Sequence, residues 1–172
     1  MGDEFHRRAA NMKLSRRELA VVLIVIVDVI YVAWGTMAAI SPDDLLKGPG
    51  GKGILPAGYE GFTHASWSQL VDSSPSTAAY MTVLFRMYGI YCAIFGLLAS
   101  AIAVTAYRRG EQWAWWILLV GNTVALVSAM RMDWIVNAIG PFEITEYIGL
   151  VMVYVALTMT APFLPSHGNG KR

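Results

Sequence analysis

Cysteine is nearly missing from this chain. Cys92 stands alone among 172 residues, inside a hydrophobic run. An intrachain disulfide, a dithiol relay and a thiolate metal site are therefore excluded, and a lone thiol in such a run packs as a small apolar residue. Histidine is almost as scarce: of His6, His64 and His167, two lie in the tails. No His-x-x-x-His, no His/Cys cluster and no carboxylate pair occurs at metal spacing. A pair of haem-ligating membrane histidines is excluded, because the hydrophobic runs contain no histidine. Nucleophilic catalysis of the Ser/His/Asp kind would have to use His64, and no nucleophile motif accompanies it. The glycine-rich stretch at residues 48–53 is not followed by the helix and residues of a phosphate-binding loop. No internal repeat is convincing. Charge is thin as well, at 15% of residues with a formal net charge of +1. The basic residues gather at the N-terminus, in one short loop and at the C-terminus, which is a topological signal rather than a nucleic-acid surface.

What fills the chain instead is hydrophobicity, 56% of residues with a mean hydropathy of +0.49. Four runs are long enough to cross a bilayer, which needs about 20 apolar residues. The pattern predicts one all-α membrane domain, an antiparallel up-down bundle of four transmembrane helices at residues 19–40, 78–106, 113–132 and 144–164. Residues 1–17 and 165–172 form tails, and a long outer loop, 41–77, joins the first two spans. Ser15 three residues before Glu18 makes a capping box ahead of the first span. Ser74 and Pro75 suit the N-cap and first position of the second. That second run exceeds the bilayer, so it tilts or projects. Gly140-Pro141 separates the last two spans.

Arg7, Arg8, Lys13, Arg16, Arg17, Arg108, Arg109, Lys171 and Arg172 all fall on one side of such a bundle. The positive-inside rule then places both termini in the cytoplasm of a multi-pass protein of the cell (inner) membrane. Trp113, Trp115 and Trp116 would anchor the inner interface and Trp134 the outer one. A competing reading makes the first run a cleaved signal, since Ser15-Arg16-Arg17 resembles a twin-arginine signal. The run is too long for a signal core and contains Asp28. The outer loop begins as irregular chain, and residues 63–71 read as a short helix in which Trp67, Leu70 and Val71 share a face. It serves either as a lid over the bundle or as a connector.

Asp28 and Arg86 interrupt hydrophobic runs. A charge at the centre of a bilayer costs at least ~2.5–3.5 kcal/mol and persists where it meets a partner or a watery cavity. Counted along their spans, Asp28, Arg86, Asn122 and Tyr154 come to a common depth, one polar residue per helix. Arg86, Gly89, Ala93, Gly96 and Ser100 form one stripe, as do Asp28, Gly35 and Ala39, and small residues let helices approach closely in lipid. These stripes predict an Asp28–Arg86 ion pair at a helix contact, either fixing which helices pack or binding a ligand or proton. A second cluster, Arg131, Asp133 and Glu146 with His64 from the loop, would form an outer mouth. Glu143 and Glu146 equally suit a helix N-terminus through the dipole. Glu146, Gly149, Val153 and Thr160 share a face, which turns Glu146 inward.

Arg86-Met87-Tyr88-Gly89 and Tyr107-Arg108-Arg109-Gly110-Glu111-Gln112-Trp113-Ala114-Trp115 resemble stretches of the DoxX-like four-helix integral membrane proteins and related uncharacterised bacterial families. The resemblance covers the last three spans and extends to the whole chain. It implies a compact four-helix bundle with both termini inside. Some members resemble subunits of quinone-linked oxidoreductases, which implies a quinone or lipid as ligand, or a partner subunit. The expectation is a membrane protein without evident catalytic chemistry. It would bind a lipophilic small molecule or serve as an accessory subunit, with the bilayer, a membrane-protein partner or a second copy as partners. It would have no nucleic acid, no metal and no required cofactor. The alternatives are a small proton-coupled transporter, with Asp28 or Glu146 titrating, and a membrane enzyme acting on lipid or quinone through Arg86, Arg131 and Glu146.

Overall fold

The computed structural model describes residues 15–42, 53–137 and 144–161, and every regular element among them is helical. Six helices follow in order: α1 Arg16–Ile40, α2 Ile54–Thr63, α3 Trp67–Ser73, α4 Pro75–Ile102, α5 Gln112–Ile135 and α6 Ile144–Met159. A π-turn, Ala103–Tyr107, prolongs α4. Three helical segments are long and apolar enough to cross a membrane: Arg16–Ile40, Pro75–Tyr107 and Gln112–Ile135. The fourth apolar helix, α6, has 16 residues, and the predicted remainder of that span, 162–164, lies outside the described residues. So do the tails, residues 43–52 and Glu143.

The local signals explain the helix starts. Ser15 accepts from the Glu18 amide while Glu18 Oε2 accepts from the Ser15 amide at 2.8 Å, so the predicted capping box is formed. Ser74 occupies the N-cap of α4 with Pro75 behind it, but its hydroxyl bonds Thr77 Oγ1 rather than the backbone. Between α4 and α5, Arg109 and the Trp113 indole both bond Glu111. The Trp113 and Arg109 hydrogen bonds hold the Glu111 carboxyl below the usual carboxylate range.

Packing is unequal around the bundle. The α1–α4 pair is the closest, and small residues are the reason. A Cβ on Gly35 would run into the Ala93 amide and the Gly89 carbonyl, and one on Gly96 into the Asp28 carbonyl. The predicted small-residue stripes are thus a real helix seam, in the manner of close-approach interfaces in lipid. On its other side α1 meets α6, where Val27 lies against Gly149, and α6 meets α5 through Leu126. The α4–α5 contact is sparse, with Phe95 lying against Gly121.

The dry core occupies one half of the bundle. Ala20, Ile24, Ala103, Trp115, Leu118 and Leu157 are buried at the end that carries Arg16, Arg17, Arg108 and Arg109, called here the arginine end. Two polar ties close it. Trp115 Nε1 donates to Leu157 O at 2.9 Å, and the Tyr107 hydroxyl meets Thr160 Oγ1 at 2.6 Å. Trp115 is therefore an interior residue, not the interfacial anchor its neighbours suggest. Trp113 and Trp116 are exposed.

The opposite end is roofed by α2 and α3. The short helix expected at 63–71 is α3, which starts at Trp67, and the stretch before it, expected as irregular chain, forms α2; between them His64 has a φ of 60°, in the left-handed region. Pro56 is tolerated because it lies in the first turn of α2. Gly61 is there because α2 lies directly on the Val136 carbonyl at the end of α5. The Trp67 amide donates to Glu60 Oε1 at 3.3 Å, and the Tyr59 and Trp67 rings meet edge to face at 5.6 Å. A second capping box, Ser66 with Gln69, starts α3, which packs on the first turns of α4. The roof thereby links the ends of α5 and α4, two helices that touch sparsely below it.

Candidate functional site

Asp28 is fully buried, and neither carboxylate oxygen has a hydrogen-bond partner. It lies in the α1–α4 seam at the level of Gly96, where the two backbones meet. A buried unpartnered polar group destabilises a fold by about 1–3 kcal/mol, more when charged, so nothing in the packing accounts for a carboxyl here.

The expected partner is elsewhere. Arg86 is exposed. The register of the seam sets Gly96 beside Asp28 and Gly89 beside Ala38 and Ala39. Arg86, ten residues before Gly96, is therefore about 15 Å along the helix from the level of Asp28, at 1.5 Å per residue. That is level with the last turn of α1, which ends at Ile40. The predicted ion pair is corrected on this ground. The stripe holds, but α4 is 33 residues long with its π-turn, so depth counted from the start of its apolar run sets Arg86 too deep. The one ion pair among the described residues is Arg109–Glu111, at 2.8 Å.

Asn122 is fully buried on α5. Its amide donates to Leu118 O at 3.1 Å, and its Oδ1 has no partner. Leu126 and Val27 both face Gly149, which puts Asn122 about one turn nearer the arginine end than Asp28. Tyr154 shares the level of Asn122 but not the interior. It is 38% exposed, and its hydroxyl meets Thr123 Oγ1 at 3.0 Å. The expected four-residue polar layer is therefore two buried residues, Asp28 and Asn122, with Tyr154 at the rim and Arg86 at the roofed end.

Two further polar groups join them, Tyr31 and, from the α4 stripe, Ser100. Tyr31 and Ser100 both carry buried hydroxyl oxygens without a partner. Tyr31 packs beside Gly96 and meets the Phe95 ring at 5.6 Å. Ser100 lies one turn from Gly96 on the same stripe. Spacing from Asp28 could have flagged Tyr31, at i+3 on the same helix face.

The outer-mouth residues divide in the same way. Asp133 and Glu146 are half-buried, both hold further interactions, and both lie within electrostatic reach of Tyr31, as does Asp28. Arg131 and His64 are exposed. Glu146 faces inward with buried Gly149 and Val153, as its stripe requires. Two aromatic pairs stand at the same end, Trp34 against Phe85 at 6.0 Å and Phe85 against Tyr88 at 6.5 Å. The described residues contain no group of three or more His, Cys, Asp or Glu that could hold a metal ion.

An all-helical protein with three helices able to cross a membrane, closed by a dry core at one end and polar at the other, is the class these observations define. No family model matches the chain, and neither the curated proteins nor the solved structures yield a match.

Proposed function

We propose that this is a multi-pass protein of the inner membrane that binds a lipophilic small molecule, alone or as an accessory subunit, without covalent chemistry. In this reading α6 and the residues after it complete a fourth span. The basic arginine end and both termini face the cytoplasm, as the positive-inside rule favours, and the bundle is of the DoxX-like kind. One observation carries the functional part. Buried polar groups without a hydrogen-bond partner, among them Asp28, Tyr31 and Asn122, lie on the roofed side of a dry core of Ile24, Leu118, Trp115 and Leu157. A few convergent polar groups in an otherwise apolar interior suit holding a ligand. A conduit would need polar groups to continue to the other end.

Proton-coupled transport is the second reading, favoured by the unpartnered carboxyl of Asp28. An ionisable residue inside a membrane segment marks a functional site by default. It requires a second state in which the dry core parts.

Native mass spectrometry of the chain released from nanodiscs made in its host membrane tests the binding reading. The expected spectrum shows a retained small apolar molecule of defined mass, lost from Asp28→Asn. Release of the bare chain under conditions that preserve its helicity would contradict it.

A further inference from the structure

The arginine end carries more positive charge than its own acids balance. Among the described residues there, four arginines, Arg16, Arg17, Arg108 and Arg109, stand against two glutamates, Glu18 and Glu111. Glu111 is engaged by Arg109 and by the Trp113 indole, and Glu18 is held in the Ser15 capping box. Arg16, Arg17 and Arg108 are exposed and form no ion pair among the described residues.

These cations belong to two elements that the fold sets side by side. α1 packs against the π-turn that prolongs α4. Arg17 reaches across the turn that follows. Its guanidinium fills the space that a Cβ on Gly110 would need, with Nη1 2.5 Å and Nη2 3.0 Å from that point. Gly110 has a φ of 85°, where glycine is favoured, and an added carbon would also displace the Arg17 head. Arg17 lies within electrostatic reach of Tyr107, and Arg108 within reach of Glu18. The start of α1 and the turn before α5 therefore offer their guanidinium groups to one patch of surface.

Forked guanidinium donors match the oxygens of a phosphate, which they bind in bidentate fashion. The surface next to them selects the kind of phosphate. Toward the membrane interior follow exposed Val22 on α1, Val104 in the π-turn, and Trp113, Trp116 and Ile117 on α5, all on segments apolar enough to cross a bilayer. Tryptophan favours the headgroup level of a bilayer. A guest that satisfies both surfaces has an anionic head and hydrocarbon tails. A zwitterionic headgroup brings its own cation to arginines that already lack acids, so a headgroup of net negative charge is favoured.

We propose that the arginine end binds an anionic phospholipid, its phosphate held between Arg17 and Arg108 with Arg16 beside them, and its acyl chains lying on the apolar surface at Trp113 and Trp116. This goes beyond the binding-protein reading and uses none of the residues around Asp28.

Native mass spectrometry of the full chain in detergent, given equimolar phosphatidylglycerol and phosphatidylcholine of the same acyl chains, tests it. The expected spectrum shows phosphatidylglycerol retained in preference to phosphatidylcholine. The preference should fall about fivefold in Arg17→Gln and again in Arg108→Gln, the size of one basic residue at a membrane surface. It should persist in Arg86→Gln, which removes an exposed arginine from the roofed end, and in Asp28→Asn, which tests the other site. Circular dichroism confirms that each variant is folded. Equal retention of the two lipids would overturn the proposal. So would an unchanged preference in both Arg17→Gln and Arg108→Gln, which would place the lipid elsewhere. Displacement of the lipid by an equal concentration of glycerol 3-phosphate would also overturn it, since the occupant would then be a soluble phosphate.

Discussion

Asp28→Val is expected to unfold later than the wild-type chain, by about 1–3 kcal/mol, the range for relieving an unsatisfied buried polar group. Asp28 has no solvent contact and no hydrogen bond, so the folded state carries its desolvation without compensation. Valine is branched, apolar and only slightly larger, and its neighbours on α1, Val27 and Ile24, already pack as core. Asp28→Asn keeps the shape and leaves polar atoms unsatisfied, so its unfolding should stay near wild type. Chemical unfolding in one detergent, followed by far-ultraviolet circular dichroism, reads both. A gain in stability with a loss of bound ligand is the signature of a residue kept for its chemistry rather than its packing. A loss of several kcal/mol in Asp28→Val would instead point to a broken buried pair.

Gly35→Ala carries the opposite sign. Its single added carbon would overlap the Ala93 amide and the Gly89 carbonyl, and stand 3.0 Å from Ala93 Cα. All three are backbone atoms of α4, so no side chain can swing aside. The two helices must separate, and with them the seam that holds most of the α1–α4 contact. Overpacking of this kind costs about 1–3 kcal/mol and occasionally more, and here about 3 kcal/mol or above is expected. Gly121→Ala is the control. Its added carbon would sit 3.5 Å from the Phe95 ring, an ordinary contact. Exchanging a helical glycine for alanine gains up to about 1 kcal/mol, so this variant should match or exceed wild type. Thermal unfolding of both, monitored by light scattering and tryptophan emission, decides the matter. Equal effects would mean that the α1–α4 seam is looser than described.

Several elements were legible in the sequence because they depend on neighbours in the chain. The capping box at Ser15 and Glu18, the proline start of α4 and the inward face of Glu146 follow from spacings of three and four. The glycine and alanine stripes also predicted the α1–α4 seam correctly, because a stripe is an angular property that survives errors in length. Height is different. Arg86 lies on the expected stripe but level with the last turn of α1, since relative height depends on where two helices begin and end together, and α4 projects beyond its partner. Trp115 shows the same limit at residue level. Three tryptophans within four positions read as an interfacial belt, yet they point in different directions around α5, and only Trp115 turns inward to bond Leu157 O. The roof was half legible. Its α3 segment has a capping box, whereas α2 contains Pro56 and Gly58, which read as loop, and is a helix that packs at Gly61 directly on the end of α5. Tyr31 was hidden among apolar neighbours and Ser100 read as one small residue of its stripe; both emerge as polar sites once their hydroxyls are seen to lack partners.

The separation of Asp28 from Arg86 underlies the whole account, since an Asp28 already paired would need no other guest. A double-mutant cycle with Asp28→Asn, Arg86→Gln and the double variant, read as unfolding free energies in one detergent, tests it most directly. Sites that share no contact add to within about 0.5 kcal/mol, and that is the predicted outcome. A coupling of several kcal/mol, with the double variant far more stable than the sum of the single losses allows, would contradict it.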